Sequence, residues 1–233
     1  MSIPVSNWYL SLGNFSFPTV FIQFNDAEKS ALLNKEKESA VAIKAIDKIN
    51  YVINHLPGWC FMHADSCAPT DSVQFTQSDY SVKKGNVAWS ILCESEKVRQ
   101  AFKQSETERI ALHPYRRIDR YREFRAFIFE GKLRAMSQRF TNKHIARLQG
   151  RKEEIWQLTK GLFNEIAAFL PESNIVVDLY LTATKRLMII DMNKWEASDP
   201  LLLKDWDQDW TEEKGLKLVP KPMRLSGDVS VSF

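Results

Sequence analysis

Two pairs of strand-like runs, each closed by a short turn, occupy the second half of this 233-residue chain. YREFRAFIF (121–129) and KLRAMSQRF (132–140) flank Glu130-Gly131, a two-residue turn of the kind that joins antiparallel strands. IVVDLYL (175–181) and RLMIIDMN (186–193) flank a short turn around Thr182–Lys185. Between the hairpins, KEEIWQLTKGLFNEIAAFL (152–170) places Ile155, Leu158, Leu162, Phe163, Ile166 and Phe169 on one helical face. Neighbouring strands joined by tight turns cannot be the parallel neighbours of a doubly wound sheet, which need long crossovers. The pattern predicts an α+β protein.

The first half reads in the same way. SFPTVFIQF (16–24) is a strand of β-formers after a proline. Asn25-Asp26 caps a helical pattern that runs, broken near Asn34, to Leu56, where Pro57-Gly58 stops it. A strand over Trp59–Asp65, a polar loop, a helix over Val87–Phe102 and a strand over Glu108–Tyr115 follow. The tail from Thr211 is polar and carries no clear period.

A composition of 44% hydrophobic and 26% charged residues is that of a globular chain. The net charge of +3 is too weak to point to nucleic acid or an anionic membrane. No apolar run approaches the roughly 20 residues of a membrane span, and MSIPVSNWYL has neither a basic region nor an apolar signal core. A cytoplasmic setting is expected. Cys60, Cys67 and Cys93 form no Cys-x-x-Cys pair, and His55, His63, His113 and His144 are scattered, which argues against a disulfide framework and against zinc.

The second hairpin contains an energetic anomaly. Asp191 interrupts the apolar run MII before Asn193, and an ionised carboxylate in an apolar strand is costly unless paired. Alternation puts Asp191 and Asn193 on one face. An even-length turn about Ala183-Thr184 would set Asp178 opposite Ile189 and Asp191 opposite Val176, leaving Asp178 and Asp191 as diagonal neighbours on that face. Two carboxylates and a carboxamide oxygen are hard ligands that suit magnesium. An arginine partner, or an edge strand in water, would also resolve the anomaly.

The first hairpin holds Arg125 among Phe124, Phe127 and Phe129, with Arg139 at the end of the partner strand. Buried guanidinium groups suit phosphate oxygens, and an internal ion pair with Glu123 is the alternative. Register from the Glu130-Gly131 turn sets Arg125 opposite Met136 and Arg139 on the other face, unless a bulge or the strand end reorients it. RRIDRYREFR interleaves Tyr and Arg as single-strand nucleic-acid binders do, but the weak net charge argues against that partner.

EFRAFIFEGKLRAMSQR, then VVDLYLTATKRLMIIDMN and DPLLLKDW, resembles the cell division cycle protein 123 family of the ATP-grasp superfamily. The likeness extends from SNWY (6–9) through CAPTDS (67–72) to about Trp206. The resemblance implies two lobes with antiparallel sheets and flanking helices, here about 1–110 and 111–233, closing on a nucleotide cleft. It implies Asp178, Asp191 and Asn193 as magnesium ligands and Arg125 and Arg139 at ATP phosphates. ALHPY, with Leu112, His113 and Tyr115, matches the linker strand whose backbone meets adenine.

Three departures stand out. His63 occupies the place of a family lysine, so either Lys83 or Lys84 reaches in or nucleotide binding is weakened. NKWEAS lacks a glycine and a proline found after the family's asparagine. A long acidic insertion near the N-terminus is missing, which points to a compact bacterial or viral relative. The implied function is that of a Mg-ATP-binding assembly chaperone for the gamma subunit of the heterotrimeric translation initiation factor, or of a mimic of it, with ATP serving binding rather than ligation. An ATP-grasp ligase acting through an acyl phosphate, and a degenerate interaction module, are the alternatives.

Overall fold

The computed structural model describes residues 2–222. Among these residues eight strands fall into two sheets: β1 (Val20–Gln23), β2 (Cys60–Ala64), β3 (Arg109–Pro114), β4 (Glu123–Phe129), β5 (Lys132–Gln138), β6 (Ile175–Leu181), β7 (Leu187–Lys194) and β8 (Gly215–Lys217). The helices are α1 (Val5–Leu12), α2 (Asp26–Leu33), α3 (Ala40–His55), α4 (Val73–Gln77), α5 (Gly85–Glu94), α6 (Glu96–Lys103), α7 (Ala146–Gln149) and α8 (Lys152–Ile166). The α+β architecture expected from the sequence is present.

The first sheet is antiparallel in the order β1-β3-β2. One face packs Ile22, Met62, Ile110 and Leu112 against Ala45, Ile49 and Ile53 of α3 and Trp89 of α5. Local chemistry sets where the helices break. Asn25 and Glu28 form a reciprocal capping box at the start of α2, and Ser39 caps α3 through the Ala42 N–H. The helix expected over 87–102 is two helices. Ser95 adopts an extended backbone between them and caps α6 through the Val98 N–H.

The second sheet has the order β7-β6-β4-β5-β8, and β8 runs parallel to β5, so it is mixed rather than wholly antiparallel. Phe124, Ala126, Ile128, Val177, Leu179 and Ile189 face α8 and α1, burying Ile155, Phe163, Trp8 and Leu12. The opposite face is divided. One part carries Phe127, Ala135 and Val176 beneath Leu203, Trp206 and Trp210. The other carries Arg125, Ser137 and Asp178, and looks toward the first lobe.

The lobes are not consecutive in sequence. Residues of α1 pack into the core of the second sheet, and β3 continues to Pro114, past the expected boundary at 110/111. Ser2–Ser6 ties the lobes together. The Ile3 N–H donates to Met192 O at 2.7 Å, and the Val5 N–H donates to Asp65 O at 3.0 Å. The Ser6 N–H and hydroxyl both donate to the Asp65 carboxylate.

Candidate functional site

Two β-bulges decide which side chains share the site. In the first hairpin Glu130 and Gly131 both take positive φ, 53° and 71°, as a two-residue hairpin turn requires. Near the turn Phe129 pairs with Lys132 and Ile128 with Leu133, but from Phe127 onward the register shifts by one. Arg134 is the extra residue. Arg125 therefore faces Ser137, not Met136, and Arg139 falls on the face of Arg125. The Arg139 N–H donates to Glu123 O at 3.0 Å, which extends the shifted register to the strand end.

The second hairpin closes with an odd-length loop, Lys185 taking φ of 64°, so Leu181 pairs with Leu187 and Leu179 with Ile189. Ile190 is then the extra residue, and Asp178 stands directly opposite Asp191. The expected diagonal pairing of these aspartates is corrected to a direct one. Asn193 keeps its place on the same face, opposite Val176.

Because Arg125 also faces Asp178, one row crosses the sheet: Ser137, Arg125, Asp178, Asp191. Arg125 Nε and Nη2 donate to the two Asp178 oxygens at 2.8 and 2.9 Å, and Nη1 donates to Asp199 O at 2.8 Å. Asp178 is 1% exposed and Arg125 7%, so this is a buried bidentate ion pair. Arg139 Nη1 donates to Glu123 Oε2 at 2.6 Å, and its Nε lies 3.7 Å from Asp178 Oδ2. Burial opposes the Arg139 charge, but Asp178, Glu123 and Asp191 outweigh it and hold its pKa above the ordinary value.

Among the described residues, no arginine is hydrogen-bonded to Asp191. Its carboxylate accepts from the Ser2 hydroxyl at 2.7 Å, from the Met192 N–H at 2.9 Å and from Asn193 Nδ2 at 3.2 Å. Burial raises its pKa to about 6 and the Asp178 charge opposite adds to the rise, against the lowering effect of those donors.

A cleft of about 340 Å³ lies between this row and the first sheet. On its far side Phe61 of β2 stands opposite His113 of β3, and His63 follows Phe61 on the same face. Phe17 and Phe61 stack on His113 with centroids 5.5 and 5.1 Å away. His63 Nδ1 meets Ala64 O at 2.7 Å and His113 Nδ1 meets Pro114 O at 3.1 Å, so each ring carries its proton on Nδ1 and presents Nε2 as an acceptor. Burial lowers the pKa of both, that of His113 to about 4 with the neighbouring His63 contributing, so both are neutral at pH 7.

Of the residues singled out from sequence, His63, His113, Arg139, Asp178 and Asp191 line this cleft together. Arg125 lies behind Asp178, and Asn193 beside Asp191. Leu112 points the other way, into the core of the first lobe. The Tyr115 N–H donates to Trp59 O and its hydroxyl to Asp79, outside the lining. Lys84 precedes α5 and Lys83 lies over the Trp59 ring, so neither stands in the lining beside His63. Ser2, Phe17, Phe61, Asp65 and Arg116 line the cleft as well. None of these was singled out from sequence, and of them Phe61 carries a usable signal, its alternation with His63 along β2.

Two carboxylates directly opposed on one face, one with a raised pKa, are a fit for a divalent cation, which would relieve their repulsion. The protein's share of the shell is small. Arg125 already occupies both Asp178 oxygens, and among the described residues no three His, Cys, Asp or Glu side chains are grouped to hold a metal. Asp191 would be the carboxylate to bind one, with Asp178 as charge support; Asn193 turns its Nδ2 toward Asp191, so its carbonyl oxygen would join the shell only with the amide turned over.

The D123 family model matches residues 23–221. A putative CDC123-like protein of Acanthamoeba polyphaga mimivirus is 22% identical over 210 residues, covering 84% of this chain and 65% of the relative. A translation initiation factor eIF2 assembly protein of Lodderomyces elongisporus is 26% identical over 215 residues, covering 85% of this chain and 55% of the relative. The chain thus spans about two thirds or less of these curated relatives. The solved structure of Cdc123 from Schizosaccharomyces pombe superposes with a TM-score of 0.79 at 20% identity, covering 94% of this chain and 96% of that one, which shows a shared fold. With its matched region running from the end of β1 through β8 and holding Arg125, Asp178 and Asp191, the chain belongs to the D123 (Cdc123) family.

Proposed function

We propose that this protein binds Mg-ATP in the cleft between its lobes and acts in the cytoplasm as an assembly chaperone for the gamma subunit of a translation initiation factor. The observation that carries the nucleotide half is the pairing of two walls. One presents Asp178, Asp191 and Arg139, and the other presents Phe17, Phe61 and His113 as flat rings. Stacked rings suit a purine base, and a carboxylate–arginine row suits a metal-bound phosphate chain. When bound, magnesium would screen the phosphate charge. Asp191 and Asn193 would hold it, and Arg139 would orient phosphate oxygens.

The assembly half rests on family membership and on relatives named as eIF2 assembly proteins. In this reading nucleotide serves binding, and Cys67, its thiol pushed up to about 11 by burial, lines the cleft as an inert side chain. Co-precipitation with a purified gamma subunit tests this. Recovery that increases with Mg-ATP is expected, and equal recovery by beads alone would remove the reading.

The closed Arg125–Asp178 pair and the neutral His63 favour a second reading, a member of the fold that binds its client without nucleotide. Client recovery indifferent to Mg-ATP would select it.

A further inference from the structure

Even with magnesium held at the aspartates, the β2–β3 wall of the cleft offers no positive charge to a phosphate ligand. Asp65, Asp178 and Asp191 line the cleft, and the cations in the lining are Arg116 and Arg139. Arg139 is already engaged by Glu123 at 2.6 Å and approached by Asp178 at 3.7 Å. The two histidines hold their Nδ1 protons on backbone carbonyls and add no positive charge. Lys83 and Lys84 are outside the lining. Among the described residues that line the cleft, Arg116 is the cation with no carboxylate partner, and it is exposed.

Its place in the chain suits a gripping role. His113 faces the cleft from β3, and pairing continues to Tyr115, whose N–H donates to Trp59 O at 2.7 Å. Arg116 begins the segment that crosses to β4, and Ile118, two residues on, lines the same cleft. Arg116 therefore stands where the lobes meet, beside the stacked rings and across from the aspartates. A long side chain with five donors fits phosphate oxygens that span this gap.

We propose that Arg116 binds the phosphate chain of the nucleotide, supplying from the inter-lobe segment the positive charge that the β2–β3 wall lacks. The inference rests on the nucleotide reading above and gives it a specific residue. Arg139 then serves the phosphate nearest the aspartates, and Arg116 one nearer the base.

Calorimetric titration of the full chain with Mg-ATP and, separately, with adenosine tests it. Arg116→Ala is expected to weaken Mg-ATP by about tenfold or more, the range of a lost charge-assisted hydrogen bond, and to leave adenosine affinity unchanged. Adding His63→Lys to Arg116→Ala moves the charge to the neighbouring wall and should restore part of the ATP affinity. Arg116 is exposed, so an unchanged melting temperature is expected and separates binding from folding. If wild type binds Mg-ATP and Arg116→Ala binds it equally well, the role of Arg116 is overturned while the nucleotide reading stands. If wild type binds adenosine but gains nothing from the phosphates, or binds neither ligand, both fall.

Discussion

Asp178 gives both oxygens to Arg125 in a place nearly closed to water, and that sets the character of its neighbour. Leaving either member of such a pair alone costs about 3–5 kcal/mol, so Arg125 is a fixed part of the floor. Asp191, across the strand, is left with hydroxyl and amide donors and a pKa of about 6. His113, across the cleft, is shifted the opposite way, to about 4. The two shifts oppose each other in stability. Between about pH 4 and about pH 6 the folded Asp191 holds a proton that the unfolded chain has released, so its contribution falls as pH rises through that window. Between about pH 4 and 6.5 the unfolded His113 binds a proton that the folded one refuses, so its contribution falls as pH drops. Asp191→Asn is expected to gain on wild type in unfolding free energy, read from urea titrations, as pH rises from about 4 to about 7, by up to about 3 kcal/mol. His113→Phe should gain in the opposite direction, as pH drops. Parallel pH curves for wild type and both variants would contradict these assignments. The candidates themselves were legible, because a charge inside an apolar strand asks for a partner. Which partner each took was not: Asp178 and Asp191 looked alike in sequence, and only register gave one of them Arg125.

At the scale of elements, one residue moves a whole face. Turn length and alternation alone put Arg139 on the wrong side of its sheet and Asp178 diagonal to Asp191. Arg134 and Ile190, the bulge residues, correct both. Nothing in EGKLRAMSQR or RLMIIDMN marks a bulge, because each is a choice between packing alternatives made by the core on the far side. Here the choice buries Met136, Ile189 and Met192 against α1 and α8. The helix break at Ser95 was missed for a related reason: the apolar period of Val87–Phe102 continues through it. Ser95 caps α6 through the Val98 N–H at 3.2 Å and donates to Asp71 Oδ1 at 2.6 Å, fully buried. Ser95→Ala should therefore lose about 1–2 kcal/mol by chemical denaturation. A loss below a few tenths would show that the cap is incidental.

For the molecule as a whole, the cleft is made by elements far apart in sequence. α1 belongs to the core of the second sheet, β3 to the first, and Ser2–Ser6 stitches β7 to Asp65 across the floor. Periodicity gave the hairpins and helices, and the family likeness gave two lobes. The contributions of Ser2, Asp65 and Arg116 to the cleft carried no local signature, since each depends on how the lobes meet. The same meeting sets an aromatic wall against a carboxylate–arginine row, the juxtaposition that suits the cleft to a nucleotide. The measurement that bears on it most directly is calorimetric titration of Mg-ATP into wild type and Asp191→Ala. Saturable binding that needs magnesium and drops at least about tenfold in Asp191→Ala is predicted. Binding of equal strength in both proteins, or with and without magnesium, would contradict it.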